Sequence, residues 1–316
     1  MTKVLYVNHG HGDRCGVWNY GDRHFQALES DGEFTFISIN VTSEEEFDQA
    51  FREVNPGVVI FNYAPIVMSW VGPQISRYNV PKIVMVHNYE QSTLSSMAND
   101  YAGMFDYVAC LDPTIIADDH RVFALSRPIP EFTPSVSEFL PDGDIQVGSF
   151  GFALHHKQFP LVMREINRCF ETATFNLHMT EGRFAAGLTQ PILDACLAEI
   201  TKPGIKLNYT GDYLSEDKVV AKLAQNHVNA LFYNWPPHNA GLSSSTDFFI
   251  AAQRPMLLSD CAMFNHVRVG SFQYPSVTFT DILGDLRNCE LEATNLYERT
   301  RGHLDSETKE MLRAVL

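Results

Sequence analysis

Short apolar runs recur along this chain, with amphipathic stretches between them. Segments 3–7, 34–39, 58–61, 82–87 and 107–111 read as strands. Segment 16–30 reads as a helix with Val17, Tyr20, His24 and Leu28 roughly on one face. Ser43 followed by Glu46 is a capping-box pattern, and it opens a helix that runs to Val54. Near-continuous apolar runs such as Ile83-Val84-Met85-Val86 suit a strand covered on both faces. Strand alternating with helix predicts βαβ units on a parallel sheet.

The pattern breaks between 127 and 143, where Arg127-Pro128-Ile129-Pro130, Pro134 and Pro141-Asp142-Gly143 read as a linker. It then restarts. Segments 145–150, 174–179, 205–209, 230–233 and 255–258 read as strands, and 159–170, 187–200, 215–226 and 243–252 as helices. Pro191 is tolerable only in a first turn. Glu216 and Asp217 suit the positive end of a helix dipole. The tail from 281 to 316 reads as helical. The expected fold is α/β, with two Rossmann-like doubly wound domains, 1–138 and 139–316, facing across a cleft. The terminal helices have the option of packing back on the first domain. Such folds bind ligands at the carboxyl ends of their strands.

Composition works by exclusion. Hydrophobic residues make up 45% of the chain and charged residues 19%, an ordinary globular balance. A formal charge of −15 and the lack of a Lys/Arg run argue against stable association with nucleic acid or an anionic membrane. No stretch approaches the ~20 apolar residues of a membrane span, and the apolar start through Val7 is too short for a signal peptide. Scattered cysteines without a CxxC pair read as reduced thiols in a cytoplasmic protein. The sequons at Asn40 and Asn208 then carry little weight. His9 with His11, and His155 with His156, have no nearby carboxylate cluster or cysteine pair at ligand spacing, so no metal site is expected. Asp142-Gly143-Asp144 reads as a turn, and Ser243-Ser244-Ser245 lacks a GxSxG elbow. Asp112 and Asp118-Asp119 follow a strand end and are candidates to face an acceptor.

Two strand ends carry the candidate chemistry. The first is Asn8-His9-Gly10-His11-Gly12-Asp13-Arg14-Cys15-Gly16, where glycines let backbone approach a ligand and a helix start follows. Its spacing, Gly10-x-Gly12-x-x-x-Gly16, departs from the GxGxxG dinucleotide pattern. The second is Gly148-Ser149-Phe150-Gly151, followed by Lys157 at the next helix start, where a cation neutralises a phosphate.

In order and spacing, residues 143–260 resemble the donor domain of GT-B fold glycosyltransferases, particularly the retaining family 4 group. Gly148-Ser149-Phe150-Gly151 with Lys157-Gln158 resembles the family's glycine-rich strand end and lysine; Phe152 or Ala153 stands near its usual arginine. The runs 207–216 and 229–236, the latter holding Asn234, resemble its next two strand ends. Gly241-Leu242 anchors its Glu-x7-Glu signature. That places His238 at the first Glu and Thr246 at the second, with Asp247 beside it. In the first domain, Cys15-Gly16 resembles the glycine-led helix start near the diphosphate. Val86-His87-Asn88-Tyr89 resembles the strand-end histidine beside the donor sugar.

The resemblance implies transfer of a glycosyl group from a nucleoside-diphosphate sugar, with retention and without a metal. The donor is a co-substrate and no cofactor is implied. Domain 1–138 is then the acceptor side and 139–316 the donor side. His87 and Lys157 are the expected catalytic groups. Gly16, Gly151, Phe152, Arg183, Asn234, His238, Gly241, Leu242, Ser243, Ser244 and Asp247 are the expected donor contacts. Glycans, lipids, small molecules and modified nucleobases stay open as acceptors. The histidine in place of the signature acid keeps two alternatives open: a catalytically altered scaffold, or a nucleotide-sugar epimerase of the same architecture.

Overall fold

The computed structural model describes residues 1–12, 15–89, 93–133, 143–182, 186–234 and 241–316. The chain divides into two units, each with its own six-stranded parallel sheet. The first comprises Met1–Pro128, His238–Leu242 and Arg301–Leu316; the second comprises Ile129–Pro237 and Ser243–Thr300.

In the first unit the strands are β1 (Thr2–His9), β2 (Phe34–Val41), β3 (Val58–Asn62), β4 (Lys82–Val86), β5 (Tyr107–Cys110) and β6 (Val122–Ala124). Their spatial order is β2-β1-β3-β4-β5-β6. The chain winds outward in both directions from β1, so the switch point lies between β1 and β3. Helices α1 (Gly16–Gln26), α2 (Glu44–Val54) and α3 (Leu94–Asp100) cover the sheet. Successive side chains of β1 point to opposite faces. Leu5 and Val7 join a core with Phe47 of α2 and Leu94 of α3, whereas Val4 and Tyr6 join one with Tyr20 of α1.

The second unit repeats the plan. Its strands are β7 (Ile145–Phe152), β8 (Thr172–Thr180), β9 (Gly204–Thr210), β10 (Val228–Leu231), β11 (Met256–Ser259) and β12 (Phe272–Tyr274). They lie in the order β12-β11-β10-β7-β8-β9, with the switch point between β7 and β10. The helices are α4 (Phe159–Cys169), α5 (Thr189–Ala198), α6 (Glu216–Ala224), α7 (Ser245–Ala252), α8 (Phe279–Gly284) and α9 (Leu286–Thr300). Phe159, Ile192 and Phe279 of α4, α5 and α8 pack on one face of the sheet with Phe175 and Ala230. Val219, Phe249 and Leu296 of α6, α7 and α9 pack on the other with Leu231 and Leu258. The last helix, α10 (Leu304–Val315), lies in the first unit, where Leu304, Met311 and Leu312 pack with Val4 and Tyr6.

Several boundaries differ from the sequence reading. The tail is three helices, and Gly302 at φ +81° turns the chain between α9 and α10. β10 ends at Leu231, so Phe232 and Tyr233 lie beyond the strand, and α7 starts at Ser245 instead of residue 243. The box at Ser43 is half formed. Its hydroxyl accepts from Glu46 N (3.3 Å), but the Glu46 carboxylate accepts from Thr42 N (2.7 Å) and Thr42 Oγ1 (3.0 Å). A complete box stands at Thr278 and Asp281 instead. Pro191 falls in the first turn of α5, the one place a helix accepts it.

Candidate active site

In the second unit the candidate chemistry gathers at the switch point. The chain leaves β7 through Gly151 at φ +149° and makes a single tight turn, His155–Lys157, before α4. The Lys157 side chain then doubles back over Gly151, so that a Cβ at 151 would lie 2.3 Å from Nζ. Backbone conformation and space both require glycine there. Lys157 is 6% exposed. Its ammonium donates to the Tyr233 hydroxyl (2.6 Å) and to Ser245 Oγ (3.2 Å), and sits 4.9 Å from the Tyr233 ring centre. The Tyr233 hydroxyl donates to Ser245 Oγ (3.2 Å) and accepts from Ser243 Oγ (3.1 Å).

Every one of these partners is neutral. The other two buried lysines are handled differently: Lys82 pairs with Asp106 (2.8 Å), and Lys309 with Asp31 (3.0 Å) and Asp305 (2.8 Å). Among the described residues no carboxylate pairs with Lys157. Burying a charge without a counter-ion is expensive, of order several kcal/mol. An anion relieves that cost.

The other residues expected on the donor side are placed as follows. Ser243 N–H donates to Met263 O (3.1 Å) and Ser245 N–H to Ser243 Oγ (3.3 Å), so those two amides are already committed within the protein. Leu242 and Ser244 are half-buried. Asp247 sits in the first turn of α7 and is fully buried. Asn234 is exposed, and its N–H donates to His156 O (2.7 Å). The Phe152 side chain lies against Gly182, where a Cβ would come within 3.2 Å of Phe152 Cγ. Arg183 and His238 lie outside the described residues.

The first unit presents a second cluster. His87 follows β4, and its Nε2 is 2.7 Å from Asn62 Oδ1 at the end of β3. Asn62 Nδ2 donates to Asn8 Oδ1 (3.0 Å) and Val17 O (2.8 Å), which fixes which end of that amide faces the histidine. His87 Nε2 is therefore the donor, and Nδ1 is left as an acceptor. Burial, with repulsion from the Arg127 guanidinium, lowers the pKa of His87 to about 3, so the ring is neutral at physiological pH. Tyr20 stands edge-on to it at 5.3 Å. Gly21 gives Asn62 its room, since a Cβ there would meet Asn62 Nδ2 at 2.1 Å. Gly241 belongs to this unit; a Cβ on it would meet His87 O at 2.3 Å. Gly16 opens α1 behind Cys15, and no side chain caps that helix.

Sequence reading singled out His87, Lys157 and Gly151 but missed Tyr233, Ser245 and Asn62. The available signal was a polar residue closing an apolar run, as Asn62 does after 58–61 and Tyr233 does after 230–232. Among the described residues no three His, Cys, Asp or Glu are grouped to hold a metal ion, and no helix is long and apolar enough to cross a membrane.

No protein-family profile matches this chain, and no curated protein matches it in sequence. Solved structures match its fold across nearly the whole length. Anabaena HepE in complex with UDP-glucose aligns with a TM-score of 0.66 at 11% identity, covering 99% of this chain and 100% of that one. An alpha-glucosyltransferase in complex with UDP and a 13-mer DNA containing an HMU base aligns at 0.63 and 11% identity, covering 99% of each. A glycosyltransferase from Rickettsia africae aligns at 0.65 and 10% identity, covering 99% of this chain and 97% of that one. The chain thus has the α/β fold of these glycosyltransferases, with two parallel six-stranded sheets.

Proposed function

We propose that this protein is a glycosyltransferase that moves a sugar from a nucleoside-diphosphate sugar to a hydroxyl acceptor, with retention and without a metal ion. The observation that carries this reading is the buried Lys157 ammonium, held by neutral hydroxyls at a topological switch point and lacking a carboxylate partner among the described residues. A pyrophosphate supplies the missing charge. As the bond between the anomeric carbon and the diphosphate oxygen breaks, both electrons pass to the diphosphate. The acceptor oxygen bonds to the anomeric carbon, and its proton leaves with the diphosphate. Lys157 stabilises the charge that builds on the leaving group.

Gly151 gives Lys157 its place, and Gly241, Leu242 and Ser244 border the turn leading into α7. Phe152, Asn234, Arg183, His238 and Asp247 complete the proposed donor contacts. The first turn of α1 at Gly16 is proposed to receive phosphate oxygen. In the first unit, His87 Nδ1 is proposed to accept from a sugar hydroxyl. Nδ1 takes this role because Nε2–H already donates to Asn62. The six free cysteines support a reducing, cytoplasmic setting. HepE and the alpha-glucosyltransferase were solved with UDP-glucose or UDP, which places UDP-sugars first in a donor panel.

The test is a panel of UDP-, GDP-, ADP- and dTDP-sugars scored by thermal shift and by donor hydrolysis. At least one donor should raise the melting temperature, and Lys157→Ala should lower turnover about tenfold or more with the fold intact. A panel without any stabilising nucleotide, or a Lys157→Ala variant with unchanged turnover, removes the assignment.

A further inference from the structure

Building on that donor-site reading, we propose that Tyr233 is a positioning residue: its hydroxyl and ring aim the Lys157 ammonium, in the place where a carboxylate would ordinarily stand. The geometry is unusual for a lysine partner. The 2.6 Å contact is at the short end for an N–H···O bond, and the same side chain also offers its ring to the cation at 4.9 Å. Tyr233 is itself immobilised. It is 4% exposed, its hydroxyl is bonded to both Ser243 and Ser245, and its ring packs on Phe264 at 4.8 Å and meets His156 edge-on at 5.6 Å.

The chemical logic is one of charge. An aspartate or glutamate in this position would also orient the lysine, but it would cancel its charge and repel an incoming diphosphate. A hydroxyl satisfies an N–H without adding charge. Two of the three ammonium protons are spent this way, on Tyr233 and Ser245. No described residue accepts the third. Phenylalanine at 233 would keep the ring but lose the acceptor, so the amine would lose orientation.

The experiment is calorimetric titration of the full chain with UDP and with inorganic pyrophosphate at pH 8. Wild type, Tyr233→Phe, Ser245→Ala, Lys157→Ala and the double variant carrying Lys157→Ala with Tyr233→Phe are compared. In Tyr233→Phe, affinity for both probes should fall about tenfold. In the Lys157→Ala background the same substitution should change affinity less than about twofold, because the hydroxyl acts only through the ammonium. Ser245→Ala, which removes the other acceptor and leaves the Tyr233 ring in place, should show the same loss at smaller size. It answers the question if Tyr233→Phe does not fold. Lys157→Ala should bind both probes weakly. If wild type binds neither probe, the donor-site reading itself falls and this role falls with it. If wild type binds through Lys157 but Tyr233→Phe and Ser245→Ala keep its affinity, or if Tyr233→Phe weakens Lys157→Ala as much as it weakens wild type, the donor site stands and the positioning role is wrong.

Discussion

An alanine at position 151 has no room for its methyl group. It would lie 2.3 Å from Lys157 Nζ on a backbone with φ of +149°, which alanine seldom adopts. The ammonium is the movable end of that clash, but moving it breaks its bonds to Tyr233 and Ser245. Gly151→Ala should therefore cost about 1–3 kcal/mol of stability. It should also lower donor turnover as far as Lys157→Ala does. Calorimetry and steady-state kinetics on the same preparation check both; wild-type turnover would mean that the cradle does not set the ammonium's position. At this scale the sequence shows what is local. Gly151 and Lys157 are six positions apart, so a glycine-and-lysine strand end is readable by eye. Tyr233 and Ser245 reach the same ammonium from far along the chain, and only the packing of β7 against β10 brings them there. The histidine at the end of β4 was readable too. The direction of its hydrogen bond was not, because Asn62 on the neighbouring strand decides it.

Among the secondary-structure elements, the central strands were the legible ones. β1, β3 and β4 are apolar runs buried on both faces, and burial on both faces is what writes a continuous apolar run. Among the short elements, β6, β12 and α3 were not legible. β6 and β12 are three residues each, too short to show a period, and pairing with a neighbour makes them strands. α3 carries no acidic first turn, no basic last turn and no side-chain cap. The serine run at 243–245 misled by the opposite route. Serine is a good cap, yet here Ser243 is committed to the turn before α7, through Met263 O and Tyr233. Where a full cap does form, its worth is measurable. Thr278 Oγ1 accepts from Asp281 N (3.4 Å), while the Asp281 carboxylate accepts from Thr278 N (2.8 Å). Thr278→Ala should destabilise α8 and hence the second unit by about 1 kcal/mol. A denaturant midpoint unchanged from wild type would show that α8 is held by Phe279 and Ile282 packing alone.

At the level of the whole molecule, the alternating pattern identifies two α/β units but not where the last helix goes. That depends on long-range contacts around His24. His24 is fully buried on α1, with Nδ1 3.2 Å from the Tyr6 hydroxyl and from Met85 Sδ, and Nε2 3.3 Å from Thr308 Oγ1 on α10. The ring thus joins β1, α1, β4 and α10 in one polar cluster inside an apolar core. Desolvation lowers its pKa from 6.5 to about 3, and His87 in the same unit is lowered likewise to about 3. The sign follows from linkage. Above pH 6.5 neither folded nor unfolded chain carries these protons, and stability is complete. Between pH 6.5 and 3 the unfolded chain takes them up and the folded chain does not, so stability drains as pH falls, by up to about 1.4 kcal/mol per pH unit for each ring. Asp31 and Asp119, lowered to about 2 by their hydrogen bonds, add acid sensitivity only below about pH 4. The interval from pH 6.5 to 4.5 therefore isolates the histidines. Thermal unfolding of the first unit should shift steadily downward across it, and His24→Gln, which keeps a polar partner for Tyr6 and Thr308 but cannot titrate, should show roughly half the slope. An identical slope in the variant would mean that His24 is protonated in the folded state and that the contact with α10 does not exclude its proton.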